Sequence, residues 1–66
     1  MNVKYPNVTV RLTGEDGNAF FIIGRVGMAL RKAGVPNTEI EAFRAEAMSG
    51  DYDNVLQTCM RWVEVE

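Results

Sequence analysis

The chain contains no histidine and one cysteine, Cys59. The first absence removes the commonest general base and the Ser-His pairing of nucleophilic catalysis. The lone cysteine excludes an internal disulfide, and no second cysteine or histidine completes a zinc-ligand pattern. Cations do not dominate either: seven Lys and Arg face nine Asp and Glu, for a net charge of −2 and a pI near 5.0. This balance argues against nonspecific nucleic-acid binding, which requires many cations to neutralise phosphate. No apolar run approaches the ~20 residues of a membrane span, and the N-terminus lacks the basic-then-apolar pattern of a signal peptide. A reduced, cytoplasmic setting without membrane attachment is expected. Bulk is also scarce. At 66 residues there is room for one domain, and a chain this short buries only about 60% of the surface it exposes when unfolded. With disulfides and metal set aside, self-association into a homodimer or higher oligomer is the expected remedy.

What is present begins with an alternating segment. Residues 1–7 read as a lead-in, after which Val8, Val10 and Leu12 share one face of a half-buried strand and Thr9, Arg11 and Thr13 the other. Next comes Gly14-Glu15-Asp16-Gly17-Asn18-Ala19-Phe20, two glycines bracketing two acids ahead of an asparagine. Asp16-Gly17 is a hairpin signal, and Ala19 to Ile23 fits a returning strand. Five consecutive apolar residues do not alternate, however, and Ala19, Ile22, Ile23, Val26, Ala29, Leu30 and Ala33 recur at helical spacing. We therefore predict a helix capped by Asn18 and stopped by Gly34.

A second helix is predicted from Thr38-Glu39-Ile40-Glu41, a capping-box pattern, with Ile40, Phe43, Ala47 and Met48 inward and Gly50 at its end. Asp51 or Asp53 is expected to cap a third helix that turns Val55, Leu56, Cys59 and Met60 inward. The tail from Trp62 to Glu66 alternates as a last strand. The expected fold is a single α+β domain, β-α-α-α-β, with two short neighbouring strands packed on three helices and an interface completed by oligomerisation, because a two-stranded sheet has two open edges.

Candidate sites follow from these placements. The loop Gly14, Glu15, Asp16, Gly17 and Asn18 can present backbone N–H groups at a helix N-terminus, where anions bind; it also makes an ordinary strand-to-helix turn. The outer arc of the first helix gathers Phe21, Gly24, Arg25, Met28, Arg31 and Lys32, three cations flanking two large apolar side chains, which suits a partner protein, an anionic ligand stacked on Phe21, or burial against another protomer. Gly24 and Gly27 each cost that helix about 1 kcal/mol relative to alanine, so a close approach, by Trp62 or by a partner helix, is expected there. Asp51-Tyr52-Asp53-Asn54 places paired carboxylates near a helix start, but the sixth and twelfth positions from Asp51 are Leu56 and Trp62 where a calcium loop needs glycine and glutamate. Asp53 and Asp51 remain acceptors near a ligand. No metal or cofactor is expected. The loop lacks the lysine and serine or threonine of a phosphate-binding P-loop, Ser49 has no adjacent base, and the chain reads as a non-enzyme.

The segments Gly14 to Phe20, Ala29-Leu30-Arg31-Lys32-Ala33-Gly34-Val35 and Ser49-Gly50-Asp51-Tyr52-Asp53-Asn54-Val55-Leu56 resemble a family of small proteins, without an assigned activity, encoded by bacteriophages, prophages and plasmids. The resemblance spans Tyr5 to Val65. It implies a phage or mobile-element protein acting in bacterial cytoplasm by occupancy, covering a host protein or sequestering a signalling molecule of a host defence. The family often carries histidine where this chain has Asn54, so no role of that histidine carries over. Two functions remain open. One is an oligomer binding a nucleotide-like anion, with Gly14–Asn18 as N–H donors, Arg25 or Arg31 on phosphate, and Phe21 or Tyr52 stacked on a base. The other is a module that docks on a host or phage protein through Phe21 and Met28. A concave site between protomers with glycine N–H groups and at least one arginine favours the first, and a flat or convex apolar patch rimmed by charge the second.

Overall fold

The computed structural model describes residues 3–12 and 17–66; Gly14, Glu15 and Asp16 of the expected site lie outside them. The chain runs β1 (Tyr5–Val10), α1 (Ala19–Lys32), α2 (Asn37–Ala47), α3 (Tyr52–Trp62) and β2 (Val63–Val65). The expected α+β order is present, and the two strands are neighbours, paired in parallel. The three intervening helices make the long crossover that parallel pairing requires.

β1 starts at Tyr5 and not at Val8, so part of the supposed lead-in is strand. Backbone pairing outside the alternating stretch explains this. Lys4 N donates to Arg61 O at 2.9 Å, and Tyr5 lies opposite Val63. The register then slips before Thr9 meets Glu64, in a stretch containing Pro6, which has no N–H to contribute. Beyond Val10, Leu12 N still reaches Glu66 O at 2.8 Å. Val8 and Val10 are buried as predicted and Leu12 is half-buried.

Residues 19–23 are helix, not a returning strand. Asn18 Oδ1 accepts from Phe20 N at 2.8 Å, and Ile22, Ile23, Val26, Gly27 and Leu30 form the buried stripe. Gly34 takes φ +88°, its N–H donates to Arg31 O at 3.0 Å, and Val35 N–H reaches back to Leu30 O at 3.1 Å. These two bonds close the helix C-terminus through a left-handed residue.

α2 departs from expectation at both ends. It starts at Asn37, with Pro36 in the cap position and no side-chain cap. The Thr38–Glu41 capping box does not form, because the helix starts before Thr38: Pro36 O accepts the N–H groups of Glu39 and Ile40, which puts Thr38 inside the first turn and not at the cap. The helix ends at Ala47, and Met48 is exposed instead of inward. Gly50 serves a different purpose: a Cβ there would sit 3.0 Å from Asn54 Cβ. The space lets Asn54 Nδ2 donate to Glu46 O at 2.9 Å and Ala47 O at 3.3 Å, satisfying carbonyls at the end of α2. Asn54→Ala is expected to cost about 1 kcal/mol, read as a lower midpoint of urea unfolding.

α3 is capped by Asp51, whose Oδ1 accepts from Asn54 N at 3.0 Å. It buries Val55, Thr58, Cys59 and Trp62. Met60 is exposed, contrary to expectation, and Trp62 closes the helix instead of opening the strand. Val8, Val10 and Val63 from the sheet meet the inward side chains of the helices in one core. Among the described residues no helix is long and apolar enough to cross a membrane.

Candidate functional site

α1 carries two apolar stripes and the fold buries one. Phe21, Gly24, Arg25, Met28 and Lys32 recur at three- and four-residue intervals and so share a second face. Phe20 is 73% exposed, Phe21 60% and Met28 62%. With Gly24 and Ala29 they line an open groove of about 620 Å³, bordered by Arg25 and Lys32 of α1 and Arg44 of α2. Phe20 and Gly24 continue it toward Met48, and Phe20 further toward Tyr52 and Gly50 in a smaller hollow of about 260 Å³. Five of the six large exposed apolar side chains among the described residues therefore border one surface; Met60 is the sixth.

The glycines differ in purpose. At Gly27 a Cβ would lie 3.9 Å from Arg44 Nε and Ile40 Cγ2, so this small residue sits beneath α2 and not against Trp62. At Gly24 nothing lies within 4 Å of the place a Cβ would occupy. The chain thus keeps a residue that weakens the helix by about 1 kcal/mol where its own packing makes no use of it.

Of the residues predicted for a site, Phe21 and Arg25 line the groove. Tyr52 lines the smaller hollow, and its hydroxyl donates to Gly17 O, tying the start of α1 to α3. Asn18 caps α1. Arg31, in the last turn of α1, and Asp53, in the first turn of α3, are exposed and stand outside the lining of these hollows. Arg44 and Met48 enter from α2 without a local sequence signal, since only the crossing of α2 over Gly27 brings them to α1. Among the described residues no Asp or Glu lines the groove, and Arg44 and Lys32 form no ion pair.

Two acids, Glu39 and Glu46, are engaged elsewhere. Glu39 pairs with Lys4 at 2.8 Å and accepts from the Tyr5 hydroxyl at 3.1 Å; Glu46 pairs with Arg61 at 2.8 Å and accepts from Trp62 Nε1 at 3.2 Å. The hydrogen bond from Lys4, then that from Tyr5, holds Glu39 below its ordinary value of 4.5. Arg61, then Trp62, does the same for Glu46. Both carboxylates are more acidic folded than unfolded, so their contribution is present above pH 4.5 and is lost as pH falls through the lowered values. Cys59 behaves oppositely, because burial pushes its thiol from 9.0 up to about 11. Its contribution is full below pH 9.0 and is lost as pH rises toward 11. The urea midpoint is expected to fall at both extremes, with Glu46→Gln flattening the acid limb and Cys59→Ala the alkaline one.

Comparison of the chain with family profiles, with curated proteins and with solved structures gave no match.

Proposed function

We propose that the chain is a non-catalytic accessory protein of a phage or mobile element that acts by docking the α1 face on another protein. The carrying observation is the gathering of Phe20, Phe21, Met28, Met48 and Tyr52 around one open surface, with cations at the border of its larger part and Asp51 in the smaller hollow. Isolated surface apolar side chains are ordinary, but a contiguous patch rimmed by charge is characteristic of interaction sites. Chemistry finds little support: there is no histidine, and the one thiol is buried and held protonated at neutral pH. A nucleotide-like anion would meet cations at the rim, but the floor between them is formed by apolar side chains and glycine. At the start of α1, Phe20 N–H is taken by the Asn18 side chain.

The reading is tested by placing a photoreactive phenylalanine analogue at Phe21, Met28 or Met60 and irradiating bacteria that make the chain. A discrete protein adduct is expected from positions 21 and 28 and none from position 60. Equal adducts at all three positions, or none at 21 and 28, would overturn the proposal.

A further inference from the structure

Resting on this docking reading, we infer that the occupant of the groove is an amphipathic helix of a partner protein whose apolar stripe is flanked by carboxylates. Three features converge on it. The groove follows α1 from Phe20 to Lys32, about 18 Å at the rise of a helix. That accommodates roughly three turns of a second helix lying alongside, anchored by apolar residues at i, i+3 or i+4, and i+7. Midway stands Gly24, open above its Cα. A glycine there lets an opposing helix or one of its bulky anchors come close, as small residues do wherever helices pack tightly.

Charge selects the partner. Lys32 and Arg44 border the apolar floor, and its lining holds no Asp or Glu among the described residues. An occupant bearing Asp or Glu beside its apolar stripe meets opposite charge along the groove. A second copy of this chain does not. Placed face to face on a two-fold axis, it brings the same Lys32 and Arg44 and, among the described residues of that lining, no carboxylate. Met28 and Met48, both exposed at the groove or its extension, supply unbranched side chains that reshape around an incoming anchor.

The test is selection of random peptides of about 16 residues, roughly four helical turns, on the intact chain. The enriched peptides are then synthesised with a fluorescent label and titrated. The expected peptides are rich in Asp and Glu around an i, i+3/i+4, i+7 apolar pattern. They should bind about tenfold or more weakly to Lys32→Glu/Arg44→Glu, to Gly24→Leu and in raised salt. The charge-reversed variant keeps the answer readable if Gly24→Leu disturbs the helix. No enrichment, basic peptides, or unchanged binding to the charge-reversed variant would overturn the inference. Binding that ignores charge but is lost on Phe21→Ser/Met28→Ser would overturn only the acidic helix and leave the docking face standing; binding that ignores all these variants would remove both. A dimer of the chain alone, strengthened by Lys32→Glu/Arg44→Glu in sedimentation, would assign the face to a second copy and likewise overturn the inference.

Discussion

Trp62→Ala is expected to remove about 3–5 kcal/mol of folding stability, a large lowering of the urea midpoint for a chain of 66 residues. Chains of this size hold about 0.05–0.15 kcal/mol per residue, so one large aromatic carries a considerable share. Trp62 is only 5% exposed and joins three elements. Its ring stacks on Tyr5 of β1 at 5.9 Å and meets the edge of Phe43 of α2 at 5.5 Å. The Lys4 ammonium lies 4.3 Å above it, and its indole N–H donates to Glu46 at 3.2 Å. Truncation removes these contacts together and leaves a cavity among groups already paired, where relaxation is limited. Trp62→Phe keeps a ring against Tyr5 and Phe43 and loses the N–H donor, so it should fall between wild type and alanine. Cys59, fully buried in the same helix, supplies the measurement. Its reaction with a thiol reagent at neutral pH is slow while the fold holds and should become fast in Trp62→Ala. Slow labelling with an unchanged circular-dichroism transition would show that this cluster is dispensable.

What was legible beforehand follows the range of the interactions. α1 could be read at both ends because Asn18 and Gly34 act locally: one accepts from Phe20 N–H and the other adopts φ +88°. The start of α2 could not. Thr38-Glu39-Ile40-Glu41 satisfies the capping pattern, yet the helix starts one residue earlier, at Asn37, and leaves Thr38 within its first turn. Pro36, with φ near −62°, already supplies the carbonyl that starts the helix. Periodicity likewise located the faces of α2 and α3 but not their width. Met48 and Met60 lie near buried positions, and their exposure depends on how far the neighbouring element extends over them. The candidate site divides in the same way. Phe21, Gly24, Arg25, Met28 and Lys32 share one helix face and could be grouped by spacing alone, whereas Arg44, Met48 and Tyr52 join them only through the packing of α2 and α3.

Phe21→Ser/Met28→Ser is expected to behave in the opposite way to Trp62→Ala, abolishing partner capture while leaving the fold intact. These side chains are 60% and 62% exposed, so truncation gives up little burial within the chain, and surface changes of this kind fall within about 0.5 kcal/mol. Serine in place of methionine costs some helix propensity, and the removal of exposed apolar area from the folded surface offsets it in part. At an interface the accounting reverses. Large apolar anchors at the centre of a docking surface are worth about 2 kcal/mol or more each when truncated, so losing two lowers affinity by several hundredfold or more by the usual ~1.4 kcal/mol per tenfold. The measurement pairs a urea titration with photocrosslinking from a probe at Phe20, a groove residue left unaltered in this variant. An unchanged midpoint with no adduct is the expected outcome. A midpoint displaced as far as that of Trp62→Ala would mean that Phe21 and Met28 shield the core of their own chain, and the surplus stripe of α1 would then be structural.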